Sequence, residues 1–288
     1  MKITNKYGLP EQLVGKVGTT PHNNPGNVSA TTLLKGTKEI VLTKRHWESL
    51  EDDVSNRVWA LFGTATHSLL EEDGETSFSE EFLSIQIGEK KLTGKMDLYD
   101  MATKVITDYK TASVWKIKFN DFSDWRRQGL IYDYLCRSNG LEVETIRFIA
   151  LLKDHSKTQA KREAGYPQSP VFVYEVKPTE ADREETEAFI LSKINAIIEA
   201  EKLADDEIEP CSEAERWAKP SKYAVMKEGR KTAVKLYDNE QDAKAHVEGE
   251  GKGFYVEHRK GESTKCDDYC LVKDFCSFYK NMEAEANG

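Results

Sequence analysis

Asp97, in Gly94-Lys95-Met96-Asp97, is followed eleven residues later by Asp108-Tyr109-Lys110. Two carboxylates and an ammonium on consecutive strands are what a Mg²⁺-dependent phosphodiesterase requires. The acids collect a divalent cation, and the lysine steadies charge gathering on phosphorus. Gly63-Thr64-Ala65-Thr66-His67 stands upstream and Gln128-Gly129-Leu130-Ile131-Tyr132 downstream. Asp-x-Lys alone arises often by chance in a chain that is 32% charged. Four such elements in this order do not.

The elements that must position these residues follow from periodicity. With a turn centred between Met101 and Ala102, Asp97 faces Ile106, and alternation puts Asp108 and Lys110 on the same face. Asp97 and Asp108 are then diagonal neighbours, roughly 7–8 Å apart. Like charges on a buried face raise each other's pKa, which Lys110 and a cation would relieve. The plainer alternative is an Asp97–Lys110 surface pair on an ordinary hairpin. Gly63, His67 and Glu71 recur every four residues on one helix face, and the glycine permits close approach. His67 is a metal ligand or simply a satisfied polar residue, and Glu71 or Glu72 could act through water. On the next helix Trp125, Gln128, Gly129, Tyr132, Leu135 and Cys136 share a stripe. Gln128 must find partners there, in the sheet or in a site. Trp125, Arg126 and Arg127 offer a stacking platform and two phosphate-binding charges, with Trp125 alternatively in the core.

Further out, residues 1–30 read as an irregular lead-in, and 29–50 as a short helix or strand pair. Asn56 caps a helix running to about 72, with Val58, Trp59, Phe62, Thr66 and Leu69 or Leu70 as its buried stripe. Strands are expected at 81–87, 92–99, 104–109, 146–152 and 171–176, with turns at 88–91 and 100–103. Helices are expected at 123–137, ended by Asn139-Gly140, and at 179–203. Beyond 210 a β-β-α-β unit is expected at 223–226, 233–237, 239–247 (capped by Asp238) and 254–258. The pattern alone supports an α/β or α+β chain with a mixed sheet.

Apolar residues make up 39% of the 288, enough for a core, and the mean hydropathy of −0.64 marks a charged surface. No apolar run of signal or membrane-span length stands in the first fourteen residues, so a cytoplasmic protein with no membrane association is expected. The net charge of −9 argues against a nucleic-acid partner until its distribution is read. Residues 180–215 hold thirteen Asp/Glu against three Lys/Arg, so the remainder is about neutral. Basic islands stand at 110–127, 153–162 and 222–235, as phosphate-binding patches or ordinary solvated faces. No phosphate-binding Gly-x-x-x-x-Gly-Lys-Ser/Thr is present, so the chain carries no helicase motor.

The four motifs together resemble the RecB-type branch of the PD-(D/E)XK nuclease superfamily, over about residues 60–280. The resemblance implies an α/β restriction-endonuclease-like core, a mixed central sheet flanked by helices, with a cysteine-rich C-terminal subdomain. The expected domains are a lead-in (1–50), the nuclease core (51–209) and the cysteine subdomain with its insert (210–288). It further implies a Mg²⁺- or Mn²⁺-dependent deoxyribonuclease, an exonuclease of recombination, repair or phage DNA processing. The metal ligands would be His67, Asp97, Asp108 and the Tyr109 carbonyl, with Lys110 catalytic, and Gln128 and Tyr132 fixing the lysine and contacting DNA. Single- or double-stranded DNA would be the partner, with a recombination protein or helicase beside it. A non-catalytic DNA-binding or scaffolding module of the same fold is the alternative. A homologue that had lost its chemistry would be expected to lack a ligand or the lysine, and none is lacking. A zinc-stapled interaction protein with an accidental Asp-x-Lys is a third reading.

Cysteines of a cytosolic chain read as metal ligands or buried thiols before disulfides. Cys266-x3-Cys270-x5-Cys276, with Cys211 upstream, supplies the count for tetrahedral zinc or an iron–sulfur cubane. The resemblance implies a [4Fe–4S] cluster, with Zn²⁺ as the alternative. The chain departs from the family in its Cys-x3-Cys spacing and in having no cysteine before the nuclease motifs. The fourth ligand is therefore Cys211 or Cys136. Cys211 is preferred, beside Pro210 and outside any apolar stripe, while Cys136 reads as a buried thiol.

Overall fold

Every second side chain of Thr145–Leu152 is buried, so Ile146, Phe148, Ala150 and Leu152 point into one core. Such alternation belongs to a strand packed on one side by a helix. The computed structural model describes residues 1–17, 26–70, 77–79 and 82–287. The chain forms two units, residues 1–204 and 205–288. Among the described residues no helix is long and apolar enough to cross a membrane.

The first unit opens with β1 (Lys2–Thr4), α1 (Glu11–Val17), β2 (Asn27–Ser29), α2 (Ala30–Leu33) and α3 (Thr37–Arg45). There follow β3 (Glu51–Asp53), α4 (Val54–Leu70), β4 (Ser77–Ser79), β5 (Phe82–Ile87), β6 (Lys90–Lys95), β7 (Leu98–Asp100) and β8 (Val105–Ala112). It closes with α5 (Val114–Phe119), α6 (Ser123–Ser138), β9 (Thr145–Leu152), α7 (Lys157–Arg162), β10 (Val171–Val176) and α8 (Glu180–Ala200). Among the described residues the main sheet has the order β10-β9-β8-β7-β4, with β8 and β9 parallel and the other pairs antiparallel. A second sheet is ordered β2-β6-β5, and β1 pairs with β3. The mixed sheet with flanking helices is the expected fold class.

Parallel β8 and β9 need a crossover, and α5 and α6 make it. Helix α6 packs against β5, β6, β8, β9 and α8, burying Ile131, Leu135 and Cys136 completely. Two glycines set how close it comes. A Cβ on Gly129 would lie 2.7 Å from Ile146 Cγ2 and 2.8 Å from Phe148 Cζ. One on Gly94 would lie 2.5 Å from Leu135 Cδ1. Helix α8 starts from a capping box of Thr179 and Asp182 and buries Ile190, Ile194 and Ile197 at helical spacing.

Several expectations need correction. Residues 1–50 are no lead-in: β1 and β2 are ladder strands, and the whole segment belongs to the first unit. The predicted strand at 92–99 is two strands in two sheets, broken at Met96-Asp97. The hairpin turn covers four residues, 101–104, with Lys104 in the left-handed region (φ 55°). Leu98 therefore pairs with Thr107, two residues from the predicted register. Helix α4 begins at Val54 rather than after Asn56, because Asp53 accepts the Ser55 amide. Its predicted buried stripe is not buried: Trp59, Phe62, Leu69 and Leu70 are exposed. The helix meets β8 through small and polar residues. Gly63 lies over Thr111 and His67 over Asp97. Glu71 and Glu72 lie outside the described residues.

The second unit contains β11 (Ala218–Lys219), β12 (Lys222–Lys227), β13 (Lys235–Tyr237), α9 (Glu240–Gly249), β14 (Phe254–Arg259), β15 (Glu262–Ser263), α10 (Thr264–Asp268) and α11 (Ser277–Asn287). The expected β-β-α-β insert is present as the sheet β13-β12-β14 with α9 against it. Its helix cap is Asn239, which accepts the Asp242 amide, rather than Asp238.

The approach of α6 to the sheet is testable. Gly129→Val forces branched carbons into Ile146 and Phe148, an overpacking worth about 2 kcal/mol that a few tenths of helix propensity do not offset. The melting temperature of the first unit should drop by about 5 °C in scanning calorimetry. An unchanged transition would show that helix and sheet stand further apart.

Candidate active site

Asp108 and Lys110 are two apart on β8, so alternation turns both to the face covered by α6. The Lys110 Nζ lies 2.7 Å from Asp108 Oδ2 and donates a 2.8 Å hydrogen bond to Gln128 Oε1. The Gln128 Nε2 in turn donates to the Tyr132 hydroxyl at 3.0 Å. Gln128 and Tyr132 are one helical turn apart, so their neighbouring positions on α6 follow from the helix itself. The amide of Gln128, isolated on an apolar face, thus finds its partners in the lysine and the tyrosine.

Asp97 sits in the break between β6 and β7. Continuing the β7–β8 register by one residue brings it opposite Asp108. Its two oxygens are held separately: Oδ2 accepts the Tyr109 amide at 2.7 Å, and Oδ1 lies 2.8 Å from His67 Nδ1. The four charged groups and Gln128, Tyr132 and Tyr109 line one cleft of about 510 Å³. Residues that the sequence did not single out also line it: Ser29 to Thr31 from the β2–α2 junction, Phe82, Thr93, Lys95 and Thr111. The pairing of β2 with β6 brings the first of these in, and no local pattern announces so distant a contact.

Burial dominates the electrostatics. Asp108 is 3% exposed, and its carboxyl is pushed up to about 6, chiefly by desolvation and further by Asp97, with Lys110 pulling against both. The Asp108 Oδ2 is buried without a well-directed hydrogen bond, despite its distance to the lysine. His67 is raised because its hydrogen bond to Asp97 favours the imidazolium. Burial raises Tyr132 strongly, keeping its hydroxyl protonated. Two carboxylates against one ammonium leave an excess negative charge that His67 takes up. A hard divalent cation fits this donor set: paired carboxylates, an imidazole and a buried carboxylate oxygen met only by the Lys110 ammonium. As the side chains stand, no three His, Cys, Asp or Glu among the described residues converge on one ion position.

Trp125, Arg126 and Arg127 do not form the expected platform. Trp125 is 7% exposed, stacks on Phe148 and packs at a tilt against Phe122 inside the core. Arg126 pairs with Asp182 at 2.6 Å. Arg127 faces Glu185 at 3.8 Å and covers the Phe189 ring. The acidic first turns of α8 neutralise both arginines.

In the second unit Cys211, Cys266, Cys270 and Cys276 are half-buried, and in the first unit Cys136 is fully buried. Burial and the neighbouring Cys211 and Cys276 push the Cys266 thiol up to about 11. Burial, with the Asp133 charge adding to it, carries Cys136 to about 12, and its Sγ lies 3.2 Å from Met96 Sδ.

No family model and no curated protein matches the chain. Among solved structures, the protein SSO0001 is 16% identical, with a TM-score of 0.45 over 66% of this chain and 83% of its own. The alkaline exonuclease LHK-Exo from Laribacter hongkongensis is 14% identical, with a TM-score of 0.37 over 67% and 96%. Likeness at this level carries no weight on activity.

The raised carboxyl of Asp108 makes a stability prediction. Its folded pKa, about 6, lies above its value in the unfolded chain, so the folded state binds the extra proton. Stability from this group is present at low pH and is lost as pH rises from about 4 to about 6. In EDTA, Asp108→Asn should therefore raise the melting temperature at pH 8, by of order 2 kcal/mol in stability, with no gain near pH 4. Added Mn²⁺ should stabilise the parent protein and not the variant. A variant no more stable at pH 8 would show Asp108 to be fully compensated by Lys110.

Proposed function

We propose that the chain is a divalent-cation-dependent deoxyribonuclease, acting as an exonuclease in DNA recombination, repair or phage DNA processing. The observation that carries this reading is the contact chain Asp108–Lys110–Gln128–Tyr132, in one cleft with Asp97 and His67. Surface ion pairs need no such support. A lysine gripped on one side by a buried carboxylate and on the other by a hydrogen-bonded amide is a directed cation.

Asp97, Asp108 and His67 would hold Mg²⁺ or Mn²⁺, joined by the Tyr109 carbonyl. When bound, the ion supplies Lewis acidity toward a phosphodiester. Lys110 presents its ammonium to the cleft and stabilises the charge that develops on the phosphoryl oxygens, at low reorganisation cost because Gln128 already holds it. Gln128 acts through Lys110 and is a positioning residue. Tyr132 anchors Gln128 and, remaining protonated, adds no negative charge to an already acidic site. In the second unit the four thiols of Cys211, Cys266, Cys270 and Cys276 are proposed to hold a [4Fe–4S] cluster, with zinc as the competing occupant. The donor chemistry and the influence of Cys211 and Cys276 on Cys266 support that set.

Lys110→Ala should lower cleavage of end-labelled DNA a hundredfold or more in Mg²⁺ while leaving Mn²⁺ binding by calorimetry in place. Gln128→Ala should lower kcat by less and leave KM unchanged. Near-normal turnover of the lysine variant would refute its role. Anaerobically purified protein should be brown, with about four iron atoms and four sulfides per chain. Cys211→Ser should lose the colour and Cys136→Ser should keep it. Colourless protein with one zinc would leave the nuclease reading intact and refute the cluster.

A further inference from the structure

Helix α4 carries a feature that the cleft does not use. Trp59 is 60% exposed and Phe62 52% exposed, with their rings stacked at 5.6 Å and 29°. The Lys153 Nζ sits 4.3 Å from the Trp59 ring centroid. Trp59, Gly63 and His67 occupy one helix face at four-residue spacing. His67 meets Asp97, Gly63 lies over Thr111, and Trp59 overhangs the end of β8, where the Lys153 amide bonds the Ala112 carbonyl. Eight residues of helix put Trp59 about 12 Å from His67. Phe82, also exposed, stands at the mouth of the cleft.

The basic islands divide in the same direction. Every cation of the 110–127 island is paired with a carboxylate: Lys110, Lys116, Lys118, Arg126 and Arg127. The island that begins at Lys153 continues through Lys157, Lys161 and Arg162, all exposed. Among the described residues none of these four makes an ion pair at contact distance, although the Lys153 charge is felt by Asp154, whose carboxyl is engaged by Ser113 and the Val114 amide. A set of exposed cations thus starts at Trp59, which lies on the same helix face as the cleft residue His67.

We propose that Trp59 and Phe62, roofed by Lys153, form a stacking platform for the bases of single-stranded DNA, whose backbone follows the 153–162 cations. The inference rests on the nuclease reading and assigns its substrate class. Flat exposed rings beside cations recognise the π-faces of bases, which are open only in an unpaired strand. A protein partner fits less well, because the cores of protein interfaces are depleted of the charge that Lys153 places on the ring.

The test is anisotropy of labelled oligothymidylate, an abasic strand of equal length and a blunt duplex, measured in EDTA, with cleavage in Mg²⁺ measured alongside. The parent protein should bind oligothymidylate more tightly than the other two. Trp59→Ala should weaken oligothymidylate binding roughly tenfold or more, the loss of one base stack, and leave the abasic strand unchanged. Trp59→Tyr should restore binding. Lys153→Ala should weaken both single strands and reduce the salt slope by about one. Equal binding of abasic and base-bearing strands, or an unaffected Trp59→Ala, overturns the platform. So does a parent dimer that dissociates in Trp59→Ala with unchanged DNA affinity, which assigns the face to a second copy. Cleavage that persists in those cases leaves the nuclease reading standing. Base-dependent binding with no cleavage of any DNA in Mg²⁺ or Mn²⁺ refutes the nuclease and leaves the platform.

Discussion

A carboxylate buried to 3% exposure on a central strand is the constraint that orders this site. Asp108 cannot reach bulk water, so its charge must be met by a group on the same face, and Lys110 is the nearest the strand can supply. Lysine is long and flexible, and without a second grip its ammonium would wander. Gln128 gives that grip, and Tyr132 holds Gln128. Each partner comes from α6, which is why the approach of that helix to the sheet matters. Gly129 lets α6 lie against Ile146 and Phe148, and Gly94 makes room for Leu135 and Tyr132. Glycines and polar residues of the two motifs therefore serve one purpose, the seating of a single lysine.

The reading of alternation survived an error in register. The predicted hairpin paired Asp97 with Ile106, whereas the ladder runs two residues further along β8. A shift by an even number keeps every side chain on its face, so Asp97, Asp108 and Lys110 still meet. An odd slip would have dispersed them. The long helices α6 and α8 and the strands β9 and β10 were legible for a related reason: their periodicity is strong and local. What local pattern could not show was the contribution of residues 1–50. Strand β2 joins β6 in parallel, and parallel pairing has no short-range signature.

Helix α4 exposes a different limit. Apolar residues at helical spacing locate a stripe but not what covers it. Here the sheet is met by Gly63 and His67, and the large side chains fall beyond the end of β8 or on the far side. The same ambiguity misplaced the aromatic platform. Trp125 shares the apolar stripe of α6 but stands beside a pair of arginines, so its sequence context allowed either place, and Phe122 and Phe148 enclose it. Only the fold distinguishes a tryptophan that packs a core from one that projects over an edge.

Charge follows the same rule. A net charge of −9 says little about polyanion binding, because the acids are spent where they face cations. Asp182 and Glu185 at the start of α8 occupy Arg126 and Arg127, the two arginines of the 110–127 island. The cations of the 153–162 stretch make no such ion pair among the described residues, although the stretch drew no motif. With so few open cations, electrostatics alone would give a weak and salt-sensitive hold on a phosphate backbone. The attraction of an exposed ring for a base is far less screened by salt, so a surface that couples Trp59 and Phe62 to one short basic row can hold a strand that net charge would repel.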